Sequence, residues 1–202
     1  MLASPILNVS PRIIPQSCAK VSPLSSQKEA GKMLARMLSY YSQKKDTVVL
    51  CIKPSAMPLA SEVAKGLRLP LDLFLIRSLK IDGLTVGAIT DRADEPFGCD
   101  FGQKQLDEIV RQERIHLETL KSQCCPPNYP LPNSENATVL LATDGVQSGQ
   151  NARAAITLLK TIGYRGRIVL IAGVIGSDSQ KMFMREIDEV VAIRSPQVVG
   201  SV

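Results

Sequence analysis

A chain of 202 residues, 45% of them hydrophobic and 21% charged, has the make-up of an ordinary soluble globular domain with one core. The net charge of +5 permits an anionic ligand, but the cations are scattered and aromatics reach only 4% with no Trp. A nucleic-acid partner is therefore poorly supported, lacking both a basic stripe and a stacking platform. No apolar run nears the roughly 20 residues that cross a bilayer, so no membrane partner is expected either.

Residues 1–28 differ in kind from the rest. They are rich in Ser and Pro, carry Arg12, Lys20 and Lys28, and contain no acid before Glu29. Two readings stay open. One is an N-terminal arm on a cytoplasmic protein; the other is a transit segment for a mitochondrion or plastid. Pro5, Pro11, Pro15 and Pro23 interrupt any long amphipathic helix there, which favours the arm. One α/β domain would then occupy residues 29–202.

From Ser26 the elements alternate. Ala30, Met33, Leu34, Met37 and Leu38 lie at helical spacing over Lys28 to Tyr41. "DTVVLCI", Asp46 to Ile52, reads as a buried strand, with Cys51 a small core residue. Ala56 to Leu67 is helical with Gly66 as a stop signal, and Leu71 to Arg77 is a second strand. Leu84 to Thr90 follows the Asp82-Gly83 turn as a third strand. Gln103 to Gln123 is a long charged helix, buried through Leu106, Ile109, Val110, Leu117 and Leu120 and ended by Pro126-Pro127. After the connector "PPNYPLPNSEN" come a strand from Ala137 to Thr143, a helix from Gln150 to Thr161 and a strand from Arg167 to Ala172. A helix from Ser179 to Glu186 and a strand from Glu189 to Ile193 close the chain.

Apolar strands joined by helices predict an α/β fold, a doubly wound parallel sheet covered on both faces. Ligands of such sheets sit at the carboxyl ends of the strands. The loops after Ile52, Arg77 and Thr143 are therefore the candidates, and all three are expected at one edge.

Five cysteines without a CxxC pair, and the single histidine His116, speak against a zinc site. Cys124 and Cys125 are adjacent, which suits no simple disulfide framework, so reduced thiols are expected. No carboxylate cluster marks a metal site.

The third loop, "LLATDGVQSGQN", carries the clearest chemistry. Gly145 and Gly149 permit unusual backbone angles and close ligand approach. Ser148 to Asn151 would present backbone N–H groups at a helix start, where the dipole favours anions. Asp144 stands beside that anion site and suits hydrogen bonds from sugar hydroxyls. Anion plus sugar suggests a ribose phosphate. An ordinary strand-to-helix turn, capped by a short polar side chain, explains the same residues equally well.

The same stretch resembles the phosphoribosyl-diphosphate motif of the type I phosphoribosyltransferases. There a hydrophobic strand leads to two acids and a small loop that closes on Thr-Gly or Ser-Gly. "EAGKMLARMLSYY", "MPLASEVAKGLRLPLDLFLIRSL", "TVGAITD", "IVRQERIHLETL" and "IDEVVAIRSP" extend the resemblance, to a bacterial-type subgroup, over most of the chain from Glu29. The resemblance implies a type I phosphoribosyltransferase-like fold for the domain at residues 29–202. It places Asp144 and Thr143 at the ribose hydroxyls, and Gly145, Gln147, Ser148, Gly149, Gln150 and Asn151 around the 5′-phosphate. Lys53, Ser55, Ala56, Arg77 and Lys80 fall on the pyrophosphate side. It implies magnesium only as an ion carried in by phosphoribosyl diphosphate, if the protein is active.

The departures matter as much. Thr143 stands where the subgroup has its first acid, and Asn151 where its loop has Thr. Pro54, Ser55 and Ala56 replace an Arg-Gly-Gly-like loop, so two glycines are gone and Pro54 removes an N–H donor. Ser78 replaces a lysine after Arg77. Losing one preorganised contact typically costs about 3–4 kcal/mol of transition-state stabilisation. The sequence thus suggests a protein that binds ribose 5-phosphate or a nucleotide with weak or no transferase activity, in a binding or assembly role, as a homodimer or a subunit of something larger. An active divergent transferase, displacing pyrophosphate with a nucleobase or amine, is the alternative, and a phosphohydrolase reusing the site is a third. The acceptor would be chosen by a variable hood, for which Asp91 to Gly102 and the N-terminal arm are the candidate segments.

Overall fold

The computed structural model describes residues 12–13, 26–82, 84–90, 94–96, 102–124, 130–132, 134–146 and 149–194. Six strands form one parallel sheet: β1 (Arg12–Ile13), β2 (Thr47–Cys51), β3 (Leu71–Leu73), β7 (Thr138–Val146), β8 (Arg167–Ile175) and β9 (Glu189–Arg194), in the order β1-β9-β8-β7-β2-β3. A second, antiparallel sheet holds β4 (Ile76–Ile81), β5 (Leu84–Thr90) and β6 (Asp94–Pro96). The helices are α1 (Gln27–Met37), α2 (Met57–Leu67), α3 (Gln103–Cys124), α4 (Gln150–Thr161) and α5 (Ser177–Phe183).

Strand alternation sends successive side chains to opposite faces, and each face meets its own helices. Val49, Cys51, Leu140, Ala142, Val169 and Ile171 join the core under α1 and α2. Val48, Leu50, Val139, Leu141, Leu170 and Ala172 join the core under α4, with Phe183 of α5. The doubly wound parallel sheet is present as the apolar strands indicate.

The second strand reads differently from its expectation. "LDLFLIR" is not one strand: β3 ends at Leu73, buried Phe74 and Leu75 turn the chain out of the parallel sheet, and β4 begins at Ile76 in the antiparallel one. The run is apolar throughout because each part packs on a core, so hydropathy gives no sign of the break. Leu84 to Thr90 is a strand, but it belongs to this second sheet. α3 packs on one face of that sheet and α4 on the other.

Gly66 is not the stop of α2. The helix runs to Leu67 and ends on Arg68, a left-handed residue with φ 54. Gly66 serves packing instead, since a Cβ there would lie 2.7 Å from Ala35 Cβ. Gly31 does the same for α1, where a Cβ would stand 2.6 Å from Leu59 O and 2.7 Å from Glu62 Cβ. α1 and α2 touch backbone to backbone.

At the amino edge of the sheet a buried carboxylate ties the layers. The Tyr41 hydroxyl donates to Glu189 Oε2 at 3.0 Å, Tyr40 donates to Oε1, and the Arg167 guanidinium lies 3.8 Å from Oε2. Burial, and then the Glu189 charge, push the Tyr41 phenol well above its ordinary value. Burial and Asp188 do the same to Tyr164.

Two outcomes follow from these contacts. Gly31→Ala gains about 1 kcal/mol of helix propensity but meets a backbone oxygen that cannot yield, an overpacking cost of roughly 1–3 kcal/mol. Urea unfolding should therefore show net destabilisation, and a net gain would mean that α1 and α2 separate freely. For Tyr41 the raised folded-state pKa makes its contribution complete below the unfolded phenol value of about 10. It is lost as pH rises further, because the unfolded chain releases the proton first. Tyr41→Phe should flatten that alkaline decline, leaving the part due to Tyr164. It should also lower stability at neutral pH by roughly 1.5–3 kcal/mol, the worth of a hydrogen bond to a charged group. An unchanged alkaline limb would show that Tyr41 does not titrate as argued.

Candidate phosphoribosyl site

β2 and β7 are parallel neighbours, with Cys51 opposite Ala142 and Ile52 N donating to Ala142 O at 3.2 Å. The loops after Ile52 and after Thr143 therefore leave the same edge side by side, as expected. Arg77 does not start from that edge. It lies beyond the turn, on β4.

β7 runs two residues past Asp144, and Gly145 and Val146 pair with Val174 and Ile175 of β8. The acid thus sits on a hydrogen-bonded strand, not in a loop. Its Oδ1 accepts from Gly145 N at 3.0 Å and from the Thr143 hydroxyl at 3.4 Å. Thr143 is buried at 2% exposure while Asp144 is half-buried. One carboxylate oxygen is thereby oriented by the chain itself. Gly173 of β8 lies close to the β7 backbone, where a Cβ would come 3.2 Å from the Asp144 carbonyl oxygen. The glycine ending the run "IAG" was the available signal for this approach.

Gln147 and Ser148 lie outside the described residues. The structure resumes at Gly149, the N-cap of α4, which has φ 72 and supplies no capping side chain. No side chain of Gly149 caps the start of α4, and the amino end of a helix favours an anion. α4 spans Gln150–Thr161, the range read from the sequence. Beneath Gly149 stand Phe183 and Met182, which a Cβ would meet at 3.0 and 3.1 Å.

The loop after β2 is a 3₁₀ turn, Pro54–Ala56. Pro54 has no N–H, the Ala56 N–H goes to Lys53 O at 3.0 Å, and the Met57 N–H goes to Pro54 O. The buried Cys51 thiol donates to Lys53 O as well, at 2.9 Å. Ala56 is fully buried and Ser55 exposed, with Lys53 half-buried. The donors at Ala56 and Met57 are turned inward on the turn's own carbonyls. This turn packs beside β7.

Arg77, which the resemblance assigns to the pyrophosphate side, points to α3. Its Nε lies 2.6 Å from Glu113 Oε2, and His116 Nδ1 is 3.7 Å from the same oxygen. The sequence reading missed Glu113, whose only signal was the charged face of α3. Leu79 and Ile81, on the same side of β4, are buried in the core that α3 covers. Lys80 is exposed on β4, after an irregularity between Leu79 and Lys80, and Ser78 is placed opposite Ala88. Of the hood segment, Asp94–Pro96 forms β6, while residues 91–93 and 97–101 lie outside the described residues.

Among the described residues no group of three or more His, Cys, Asp or Glu is placed to hold a metal. Asp144 is the only acid among the described residues at the ends of the paired loops. No helix among the described residues is long and apolar enough to cross a membrane.

The positive φ of Gly149 generates a prediction. Gly149→Ala strains the backbone by roughly 1–2 kcal/mol and presses on Phe183, so it should lower the urea midpoint visibly before any ligand is added. Unchanged stability would mean that residue 149 leaves the left-handed region at no cost.

The comparisons with known proteins agree with this fold. The sequence profile of the phosphoribosyl transferase domain matches residues 22–199. A Mycobacterium tuberculosis protein named "Putative phosphoribosyl transferase", found in two strains, is 28% identical over 183 residues, 86% of this chain. The chain spans 41% of the length of these curated relatives. The crystal structure of TT1426 from Thermus thermophilus superposes with a TM-score of 0.68 at 23% identity, covering 87% of this chain and 86% of that one. The chain belongs to the phosphoribosyl transferase domain family, with the type I fold that its sequence resembles.

Proposed function

We propose that this protein binds ribose 5-phosphate or a nucleotide at the carboxyl edge of β7, and that it transfers the phosphoribosyl group weakly or not at all. Its role is then binding or assembly, as a homodimer or a subunit of a larger complex. The observation that carries this reading is the asymmetry of the two loops. The start of α4, capped by no side chain of Gly149, supports anion binding, while the turn at Pro54–Ala56 lacks an N–H at Pro54 and directs those of Ala56 and Met57 to its own carbonyls.

The chemistry follows from that asymmetry. A 5′-phosphate would rest at the amino end of α4, and the ribose hydroxyls would donate to Asp144, whose Oδ1 the Gly145 N–H holds in place. Transfer demands more. A leaving pyrophosphate carries most of the charge that develops in the reaction, and preorganised donors must meet it. Magnesium bound with phosphoribosyl diphosphate would supply part of that neutralisation. Of the cations assigned to this side, Lys53 and Lys80 remain, because Arg77 is engaged with Glu113. An active divergent transferase remains the second reading, supported by the family membership itself and by these cations.

A thermal-shift and pyrophosphate-release experiment separates the two. Ribose 5-phosphate should stabilise the wild type. Asp144→Asn should weaken that effect roughly tenfold, the loss of charge-assisted hydrogen bonds from the sugar, while leaving the response to inorganic phosphate unchanged. Phosphoribosyl diphosphate with magnesium and a panel of purines, pyrimidines and amines should release no robust pyrophosphate. Turnover near one per second, ordinary for enzymes, would establish the active reading. Absence of any response to phosphorylated ligands at millimolar concentration would end the binding reading. Activity that appears only in Thr143→Asp/Ser78→Lys would locate the lost chemistry at those positions.

A further inference from the structure

A concave site lies away from β7, in the groove between the carboxyl-terminal halves of α1 and α2, with a volume of about 540 Å³. That size falls within the range of roughly 300–1,000 Å³ found for small-molecule sites. Lys32 and Arg36, four residues apart on α1, stand on one wall, and Lys65 of α2 on the other. Glu62 is the one acid in the lining. Among the described residues none of the three cations is in an ion pair. The floor is shallow because Gly66 lets the α2 backbone approach Ala35, so long side chains rim a groove of small residues.

The helix ends explain part of this charge. Arg36 and Lys65 sit in the last turns of their helices, where cations offset about half a negative charge at each carboxyl terminus. Lys32 lies outside the last turn of α1. Three cations against Glu62 leave a formal +2, and subtracting roughly one charge for the two termini still leaves the groove positive. Exposed side chains that find no acid among the described residues remain available to an anion from solution.

We propose that this groove binds an oligophosphate, either free or as the phosphate tail of a nucleotide. Cations on both walls suit an extended anion better than a single phosphate group. Lys32 and Arg36 would hold one end, Lys65 the other, and the Ser39 hydroxyl would donate from the rim. The site is separate from the phosphoribosyl site, which lies by the amino ends of the same helices, where Ala30 and Leu59 approach Gly173. It does not rest on the reading of β7 given above.

Amide-resolved NMR titration of the full chain tests it, with inorganic tripolyphosphate in one arm, ATP in a second and adenosine in a third. Saturable shifts are expected at Lys32, Ser39 and Gly66 with tripolyphosphate and ATP, and none there with adenosine. Lys32→Gln/Lys65→Gln keeps good helix formers at exposed positions and should weaken binding at the groove by roughly tenfold or more. Shifts at Asn151, which report the other site, should persist in that variant. Shifts confined to Asn151 and its neighbours, or groove shifts that do not saturate, would overturn the proposal. So would groove binding that survives the double substitution undiminished. ATP alone shifting the groove would equally overturn it, since a nucleotide that binds through its base needs no cations.

Discussion

Parallel pairing of β2 with β7, in register from Thr47 opposite Thr138 to Cys51 opposite Ala142, decides where the candidate residues of the two paired loops stand. Both strands are buried along their paired length, so a slip by one residue would carry the whole apolar set to the wrong face. The register is thus held by two cores at once. It leaves Ile52 and Thr143 level at one edge, and the turn at Pro54 and the acid at Asp144 follow from neighbouring strand ends. Elements that do not depend on this pairing stand apart: the second sheet, with Arg77 and Lys80, lies between α3 and α4 outside it.

Within that frame the sequence announces some features clearly and hides others. α4 is legible to the residue, because an apolar face of Ala and Leu begins at Gln150 and a glycine precedes it. The β7 strand is legible in kind but not in length, since Asp144 and Gly145 look like loop residues and stay paired only because β8 continues beside them. The break inside "LDLFLIR" is invisible, for Phe74 and Leu75 are as buried as the strands they separate. Gly66 misleads because glycine near a helix end usually marks a stop, whereas here it clears space for Ala35. Long-range partners leave no local trace at all. Nothing around Arg77 foretells Glu113, thirty-six residues on, or that Phe183 would sit beneath Gly149.

Conformation at the two paired loops also differs in what holds it. Gly149 needs the left-handed region, which a glycine enters at little cost, and Phe183 and Met182 close the space below it. The turn after β2 is fixed from the other direction. Pro54 sets its own φ, Cys51 binds the Lys53 carbonyl, and Ala56 is buried against the core. One loop is shaped by the absence of side-chain atoms and the other by their presence.

These differences decide which features of the pyrophosphate side a ligand could reorganise. The Arg77–Glu113 pair is short, but Arg77 is 40% exposed, and an ion pair of that kind holds with roughly 0–1 kcal/mol. A bound diphosphate, with more charge than one carboxylate, could draw Arg77 away at little cost if β4 allowed the reach. No such exchange is open to Pro54, whose missing N–H is covalent. Releasing the Ala56 N–H from Lys53 O would unfold a turn whose last residue has no exposed surface. The cation is therefore the recoverable part of the site, and the turn is not. Any phosphoribosyl transfer by this chain would therefore lean on side chains for its leaving group more than on the backbone of this turn.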